Sequence, residues 1–202
     1  MTEVAVIGAG NIGGTLARKW AGAGHHVTFG ARDPQKSTLT GLADEIGARA
    51  TTIGEAIRAN EAVLFAIPGA AMAETVPAVA ADLDGKIVID ATNNVRGEVM
   101  HSAAAIAEAA PSASYFRAFN SLGWELFEEP TVGGTQADLF YCGPEGEPRA
   151  TVERLVADVG LRPVWVGGPE EVETVDGVLR LWFTLVVKRG LGRRLAFKMI
   201  RD

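Results

Sequence analysis

Three glycines near the N-terminus have the spacing of a phosphate-binding turn. Gly8, Gly10 and Gly13 follow the apolar run 4–7 and precede a segment with helical periodicity. A helix that begins at such a turn leaves unpaired backbone N–H groups, and these attract a pyrophosphate together with the helix dipole. Because the chain contains 24 glycines, the hexamer alone is weak evidence, and an ordinary tight turn without a ligand is the alternative.

The residues after the hexamer supply the structural context. Ile12, Leu16 and Trp20 recur at a spacing of four, which predicts one apolar helix face. Gly22 predicts the end of this helix, and an apolar run resumes at 26–29. A strand, glycine turn, helix and strand in this order are typical of a dinucleotide-binding unit. The residues that we assign to the turn are Gly8, Ala9, Gly10, Asn11, Ile12 and Gly13.

The end of the second strand indicates which dinucleotide is bound. An NAD-binding unit usually has Asp or Glu there for the ribose 2′-hydroxyl, whereas this chain has Ala31 and Arg32. Asp33 precedes Pro34, which predicts an N-cap followed by the first helical residue and makes Asp33 a poor ribose ligand. We expect Lys36 in the first helical turn, where a cation is unfavourable unless an anion lies nearby. A 2′-phosphate would be that anion, so the sequence favours NADP over NAD; two solvated surface cations are the alternative.

Length and composition set outer bounds on the class of protein. The 202 residues are 48% hydrophobic, enough for a substantial core, and the net charge of −6 argues against general nucleic-acid binding. The single cysteine, Cys142, cannot form an internal disulfide, and its apolar neighbours predict a buried strand residue. Neither a basic leader nor a membrane-length apolar run is visible. We therefore expect a cytoplasmic protein without membrane or nucleic-acid partners.

Beyond the N-terminal unit, short apolar runs alternate with helical segments. The runs are 62–67, 86–89, 115–119, 138–142 and 163–166. The helical segments are 33–46, 53–60, 70–83, 102–109 and 147–159. Continuous apolar runs are typical of parallel strands covered on both faces. The sequence therefore predicts an α/β protein with a doubly wound, mostly parallel Rossmann sheet.

The pattern changes after the glycine pair at 167–168. A long final segment, 172–200, has helical spacing, and we expect a small helical C-terminal domain. This divides the chain into an NADP-binding Rossmann domain, residues 1–168, and a domain of residues 169–202 that completes the substrate cleft and contacts a second copy. Six basic residues against one acid lie between 188 and 202. A basic helix there would attract an anionic co-substrate, or would present a solvated basic face with its apolar side packed in a homodimer.

Ligands of a doubly wound sheet gather beyond the carboxyl ends of its strands. The loops at these ends add six predicted cofactor-binding residues: Ala66, Ile67, Pro68, Thr92, Asn93 and Asn120. A polar loop or helix cap is the alternative for Thr92 and Asn93, and a structural carboxylate is the alternative for Asp90. The loops contain no Ser-His-Asp or Cys-His set and no metal-ligand cluster. We therefore expect the chemistry to come from cofactors, as in hydride transfer between two redox rings, with no metal and no catalytic acid or base.

Four stretches, 8–13, 30–36, 118–124 and 191–198, together resemble the NADPH-dependent reductases of the deazaflavin coenzyme F420. The likeness covers nearly the whole chain. It implies NADP(H) along the sheet, with Arg32 and Lys36 on the 2′-phosphate, and F420 as co-substrate near the nicotinamide. The positions implied for F420 are Ile67, Pro68, Asn120, Ser121 and Leu122, with Pro68, Asn120 and Ser121 acting by positioning rather than by acid–base chemistry.

One motif departs from this family. The chain has Asn120-Ser121-Leu122-Gly123 where well-studied members have His-Thr-Ile-Pro. The sheet and the fingerprint are similar also to those of imine reductases and of the reductase domains of membrane metalloreductases. Reduction of another acceptor, such as a flavin, a quinone or an imine, is therefore an alternative. A non-catalytic NADP(H)-sensing module is a second alternative, from another class of function.

Overall fold

A parallel sheet forms the centre of the computed structural model, which describes all 202 residues. Its strands are β1 (Glu3–Ile7), β2 (His26–Ala31), β3 (Arg49–Thr52), β4 (Ala62–Phe65), β5 (Ile87–Asp90) and β6 (Ser114–Arg117). All pair in parallel in the order β3-β2-β1-β4-β5-β6. The predicted doubly wound sheet is confirmed. The strand order reverses beside β1, which opens a crevice at the carboxyl ends of β1 and β4.

Helices cover both faces of this sheet. They are α1 (Asn11–Gly22), α2 (Ser37–Ile46), α3 (Ile53–Ala59), α4 (Met72–Ala78), α5 (Ala80–Leu83), α6 (Ala103–Ala109), α7 (Glu125–Glu128), α8 (Glu147–Val159) and α9 (Val172–Phe183). Short 3₁₀ turns span Gly69–Ala71 and Pro169–Glu171, and a π turn spans Thr184–Lys188. The apolar face predicted for α1 is buried, and the Trp20 indole N–H donates to the Leu155 carbonyl at 2.9 Å. None of the helices combines the length and the apolar character needed to cross a lipid bilayer.

Two apolar runs that we expected to extend the main sheet form a separate pair. The strands β7 (Thr131–Val132), β8 (Thr135–Gln136), β9 (Asp138–Tyr141) and β10 (Arg162–Trp165) complete the chain order. β9 and β10 pair only with each other, in parallel, and β7 and β8 form a small antiparallel ladder. A single antiparallel bridge joins Arg117 to Cys142, so this part of the chain meets the edge of β6 in the wrong direction to continue a parallel sheet.

The prediction that Asp33 caps the second helix is wrong. α2 begins at Ser37, and the Asp33 carboxylate accepts a hydrogen bond from the Gln35 N–H at 3.1 Å. Asp followed by Pro favours such a local turn, because the carboxylate satisfies a backbone N–H two residues later. Lys36 is consequently the residue that precedes the helix and not a residue of its first turn, and its carbonyl accepts from the Leu39 N–H at 2.8 Å.

The helix predicted for 172–200 ends early. α9 and its π turn stop at Lys188, and residues 189–202, here called the C-terminal strap, have no regular secondary structure. Gly190 and Gly192 adopt φ values of 68° and 83°, which terminate the helix and which other residues rarely accept. Val172 and Val175 of α9 pack into the core beneath the main sheet. The domain boundary at 168 stays a prediction.

The basic residues of the strap serve contacts within the chain. Arg193 pairs with Glu125, Arg194 with Glu129 at 2.7 Å, and Lys198 with Asp138 at 2.9 Å. The prediction that these basic residues lie on a helix is therefore wrong. Carboxylates of the same chain neutralise three of the six basic charges. The other three basic residues, Lys188, Arg189 and Arg201, form no ion pair.

Asp138 holds the strap to the rest of the protein, and protonation of its carboxylate should release the strap. Burial by itself raises the pKa of Asp138, but hydrogen bonds from Arg162, the Met199 N–H and Lys198 outweigh burial and lower the pKa. Because the folded pKa lies below the unfolded value of about 3.9, this carboxylate stabilises the fold above that pH and the contribution is lost as the pH falls through the folded pKa. Hydrogen exchange of residues 189–202, corrected for the intrinsic rate, should accelerate only below about pH 4.

The variant Asp138→Asn is the control for this titration. It removes the Asp138 charge at every pH, so its strap should exchange faster than that of the unchanged protein already at neutral pH. The acid step that remains should be smaller, because only Glu125 and Glu129 still pair with the strap. A strap protected equally in acid and at neutral pH in the unchanged protein would contradict the role of Asp138.

Candidate functional site

The glycine turn between β1 and α1 has the geometry of a phosphate cradle. Gly8 adopts φ +104°, and a Cβ there would lie 2.6 Å from the Ala66 carbonyl oxygen. A Cβ on Gly13 would overlap the Gly8 carbonyl oxygen, so only glycine lets α1 pack this close to the strand. A Cβ on Gly10 would meet nothing within 4 Å, so the backbone there is open to a ligand. The three glycines thus have three different structural roles.

The N-terminus of α1 is unoccupied by the protein's own side chains. No side chain caps the helix, and its first turn contains no acidic residue. The first hydrogen bond of the helix runs from the Gly14 N–H to the Gly10 carbonyl at 2.7 Å, which leaves the N–H groups of residues 11–13 without an intrahelical acceptor. Free donors at the positive end of a 12-residue helix fit the diphosphate of a dinucleotide.

A cavity of about 500 Å³ lies at the carboxyl ends of β1 and β2. Five of the predicted cofactor-binding residues line it: Gly8, Ala31, Arg32, Ile67 and Pro68. Helix α4 and the turn before it contribute further lining residues that the sequence analysis missed, among them Ala71, Thr75 and Ala78. These small residues recur at helical spacing, and that periodicity is the signal that could have identified them.

The two predicted phosphate ligands differ in placement. Arg32 is exposed at the cavity and forms no ion pair with any carboxylate of the chain. Lys36 is exposed and unpaired as well, but it does not line the cavity. A guanidinium without a protein partner is suited to bind an anion, and to a phosphate it can donate two hydrogen bonds. The geometry therefore gives Arg32 a stronger case as phosphate ligand than Lys36.

A second group of polar residues lies at the carboxyl ends of β5 and β6. Arg117 is fully buried and donates to Asp176 of α9 through Nε at 2.9 Å and Nη2 at 2.7 Å. Its Nη1 donates to the carbonyl oxygens of Asp90 at 3.2 Å and Thr92 at 2.5 Å, and its Nη2 to Asn93 Oδ1 at 2.8 Å. Neither Arg117 nor Asp176 was among the residues predicted for the site. A charged residue in a predicted buried strand was the available signal for Arg117.

Asp90 is a satisfied structural carboxylate, as the alternative interpretation proposed. Its Oδ1 accepts from the Thr92 N–H at 2.9 Å and from the Thr92 hydroxyl at 2.6 Å, and its Oδ2 accepts from the Ser102 N–H and the Tyr115 hydroxyl. Burial and the neighbouring Asp90 charge raise the pKa of Tyr115 well above its usual value, so the hydroxyl keeps its proton. The Thr92 side chain is thus engaged with Asp90.

The loop after β6 is buried rather than open to the cleft. Asn120, Ser121 and Leu122 are each at most 6% exposed. Asn120 Nδ2 donates to Asp176 Oδ1 at 3.0 Å, and Asn93 Nδ2 donates to the Asn120 carbonyl at 3.0 Å. The structure therefore brings Asn93 and Asn120 together, with side chains bonded within the protein. Direct contacts from Thr92, Asn93 and residues 120–122 to a cofactor or acceptor stay predictions.

Phe119 holds this loop in a rare backbone conformation. It is the only non-glycine residue with a positive φ, at 60°, a region that a bulky side chain seldom adopts. Its ring is fully buried in edge-to-face contact with Trp20 and Phe127, at centroid distances of 5.8 and 5.7 Å. Packing of this ring keeps the backbone in that conformation and sets the direction in which the chain enters Asn120.

One cluster near α9 has residue types that can bind a metal ion. Ligand atoms of His101, Glu173 and Asp176 lie within 4.8 Å of one another. His101 Nδ1 accepts from the Ala103 N–H at 3.2 Å, which assigns the ring proton to Nε2, and Nε2 faces Glu173 at 3.2 Å. A metal ion would need the lone pair of Nε2 that this proton occupies. The cluster is thus a hydrogen-bonded pair beside a buried carboxylate.

Cys142 is a buried thiol with little nucleophilic character. Burial raises its pKa to about 12, which lowers the thiolate fraction at about pH 8 roughly 1,000-fold below that of an ordinary cysteine. We expect the native protein to resist a thiol-specific disulfide reagent, and the denatured protein to react with one equivalent. Fast labelling of the native protein would contradict this placement.

Comparisons with known proteins agree with this site. Residues 3–94, which contain the glycine turn and Arg32, match the model of the family described as NADP oxidoreductase coenzyme F420-dependent. The metalloreductase STEAP3 of Rattus norvegicus is 28% identical over 185 residues, which cover 89% of this chain and 37% of STEAP3. This chain thus spans little more than a third of that relative's length.

Solved structures show the same fold. A protein of Arthrobacter sp. FB24 that is provisionally described as an F420-dependent NADP-reductase has a TM-score of 0.85 at 24% identity, and the match covers 100% of both chains. A reductive aminase from Aspergillus terreus, in complex with NADPH and ethyl levulinate, has a TM-score of 0.69 at 22% identity, over 93% of this chain and 63% of that chain. Sheet order and these structures show a Rossmann fold, and residues 3–94 are similar to NADP-dependent oxidoreductases.

Proposed function

We propose that this protein transfers hydride between NADP(H) and the deazaflavin coenzyme F420. The observation that carries the proposal is the match of residues 3–94 to the F420-dependent family, because these residues include the glycine turn, Arg32 and the whole of the cavity lining. The similarity to the Arthrobacter protein, which extends over both full chains, adds support for the same acceptor.

Bound together, the two cofactors supply the hydride donor and the hydride acceptor. The chain's own part is to bind and orient them. The free N–H groups of α1 hold the diphosphate, Arg32 holds the 2′-phosphate, and the apolar side chains of Ile67 and Pro68 reduce the access of water. Hydride transfer between the two rings requires no protein group to exchange a proton with the reacting carbon atoms.

Reduction of an imine, a flavin or a quinone in the same cleft is the second candidate. The match covers 63% of the reductive aminase and 37% of STEAP3. Their substrates are therefore weaker guides than a relative matched over its whole length. A non-catalytic NADP(H)-sensing module is the remaining alternative, since the loops of the site contain no Ser-His-Asp or Cys-His set.

Acceptor-dependent oxidation of NADPH distinguishes the three. The purified protein is mixed with NADPH and, separately, with oxidised F420, a flavin, a quinone or a cyclic imine, and the loss of nicotinamide absorbance is followed. Turnover with F420 alone is the expected result. Turnover with another acceptor and not with F420 would overturn the proposal, and tight NADPH binding without any turnover would indicate a sensing module.

We also propose a homodimer built around the end of α9. Leu181 is 48% exposed and Val187 is 68% exposed, beside Leu191 of the strap at 61%, although the opposite face of α9 is already buried. Light scattering should give twice the chain mass, and Val187→Asp should give the monomer, because a carboxylate is costly to bury in an apolar contact. Val95→Asp, at another exposed apolar residue, is the control and should stay dimeric. A monomeric unchanged protein would refute the dimer.

A further inference from the structure

A single buried guanidinium connects three separate segments at the carboxyl edge of the sheet. Arg117 at the end of β6 donates to Asp176 of α9 and to the backbone carbonyls of Asp90 and Thr92, at the end of β5 and just after it. We propose that Arg117 and Asp176 are positioning residues that set the shape of the nicotinamide end of the cleft, so that α9 is part of the cofactor site. This inference rests on the proposed function, in that the ligand is NADP(H).

The buried charges of this cluster orient hydrogen bonds, and they do so at a cost in desolvation. Asp90, Arg117 and Asp176 are all fully buried, so two carboxylates share one guanidinium. Asp176 Oδ2 is buried without any hydrogen-bond partner. Apolar side chains would attach α9 to the sheet with a smaller desolvation penalty. The guanidinium provides something that they cannot, which is a planar set of N–H donors with fixed directions.

The hydrogen bonds of Arg117 hold the loops after β5 and β6 in place together. Arg117 Nη2 donates to Asn93 Oδ1 at 2.8 Å, and Asn93 Nδ2 donates to the Asn120 carbonyl oxygen at 3.0 Å. Asn120 Nδ2 in turn donates to Asp176 Oδ1 at 3.0 Å, and Asp176 also accepts from Arg117. The loops after β5 and β6 are therefore bonded to each other and to α9 in a closed ring of contacts. Removal of one member leaves the others with unpaired buried groups.

The ring is separate from the half of the cleft that would hold adenosine. None of its members, Asn93, Arg117, Asn120 and Asp176, lines the 500 Å³ cavity that contains Arg32. In a doubly wound sheet the loops after β5 and β6 lie on the far side of the glycine turn, where the nicotinamide of a bound dinucleotide extends. A disturbed ring should therefore weaken the nicotinamide contacts and leave the adenosine contacts unchanged.

Two ligands read the two halves separately. Adenosine 2′,5′-bisphosphate probes the adenosine half alone, and NADPH probes both halves. For Asp176→Asn, we expect the Kd of the bisphosphate to change less than about twofold. The Kd of NADPH should rise about tenfold, because the loss of the Asp176 charge leaves buried donors of Arg117 and Asn120 poorly paired and disturbs both loops. In the same variant, transfer of deuterium to F420 from NADPH labelled on one face of the nicotinamide ring should lose its stereospecificity. Glu173→Gln, an exposed carboxylate one turn earlier on α9, is the control and should change none of these values.

A second variant keeps the proposal testable if Asp176→Asn does not fold. Asn93→Ala leaves the buried ion pair intact and breaks the connection between the two loops, so it should show the same selective loss for NADPH. Equal losses for both ligands in a folded variant, or no loss for either, would overturn the positioning role. If the unchanged protein binds NADPH but does not reduce F420, the proposed acceptor fails and the ring can still be tested. If it does not bind NADPH, both proposals fail.

Discussion

Replacing Arg32 by glutamate should weaken NADPH binding at least about tenfold and leave NADH binding nearly unchanged. A charge-assisted hydrogen bond to a phosphate contributes about 1.5 kcal/mol at the lower end of its range, which is the appropriate end for an exposed side chain, and this alone corresponds to about tenfold in Kd. The new carboxylate adds repulsion of the 2′-phosphate. NADH lacks that phosphate, so its contacts stay as they were. Fluorescence titration with each dinucleotide measures the two constants.

Arg154→Glu is the matched control for this substitution. Arg154 lies on α8, is exposed, forms no ion pair and does not line the cavity, so its reversal makes the same change in net charge at a different place. It should leave both affinities unchanged apart from a small, salt-dependent effect. Equal losses of NADPH and NADH affinity in Arg32→Glu would show that Arg32 does not bind the 2′-phosphate. The preference for NADP would then lose its main support.

Adding one methyl group at Gly10 should impair the binding of both dinucleotides without damage to the fold. The backbone of Gly10 (φ −75°, ψ −164°) is accessible to alanine, and a Cβ there meets no atom of the protein within 4 Å. We expect a Tm shift below about 2 °C and a loss of at least about tenfold in affinity, because the Cβ occupies the place where the diphosphate approaches the backbone. Thermal unfolding and the same titrations measure the two effects.

The pattern across ligands distinguishes this effect from that of Arg32. The diphosphate is common to NADPH and NADH, so Gly10→Ala should weaken both by a similar factor. Gly22→Ala, at the other end of α1, is the control, since a Cβ there likewise meets nothing within 4 Å. Wild-type affinity in Gly10→Ala, or a Gly22→Ala variant that is equally impaired, would show that this turn does not hold the diphosphate.

Local patterns predicted the framework of this protein well. The spacing of Ile12, Leu16 and Trp20 correctly indicated α1, and the glycine turn indicated the strand-to-helix connection. Each of these signals is contained within about two turns of chain, where side-chain periodicity follows directly from backbone geometry. The error at Asp33 has a local cause as well. An Asp-Pro pair can begin a helix or close a turn, and the helical periodicity that follows it does not distinguish the two.

The ring around Arg117 could not be predicted in the same way. Asp176 lies 59 residues after Arg117, and the sequence pattern of α9 shows an aspartate among apolar positions without a sign of its partner. The strap presents the same difficulty, because Lys198 reaches Asp138 across 60 residues. The basic stretch was visible in the sequence, but the carboxylates that neutralise it are supplied by distant segments.

Periodicity, glycine spacing and charge are local properties of the chain, and they were sufficient to predict the parallel sheet, the glycine turn and the cation that follows the second strand. Three features emerged only from the folded chain: β9 and β10 pair apart from the main sheet, the basic tail forms a strap, and α9 contacts the loops beside the predicted nicotinamide site. These outcomes depend on which distant polar groups become buried together. A buried charge needs a partner, and the packing of the whole chain selects that partner.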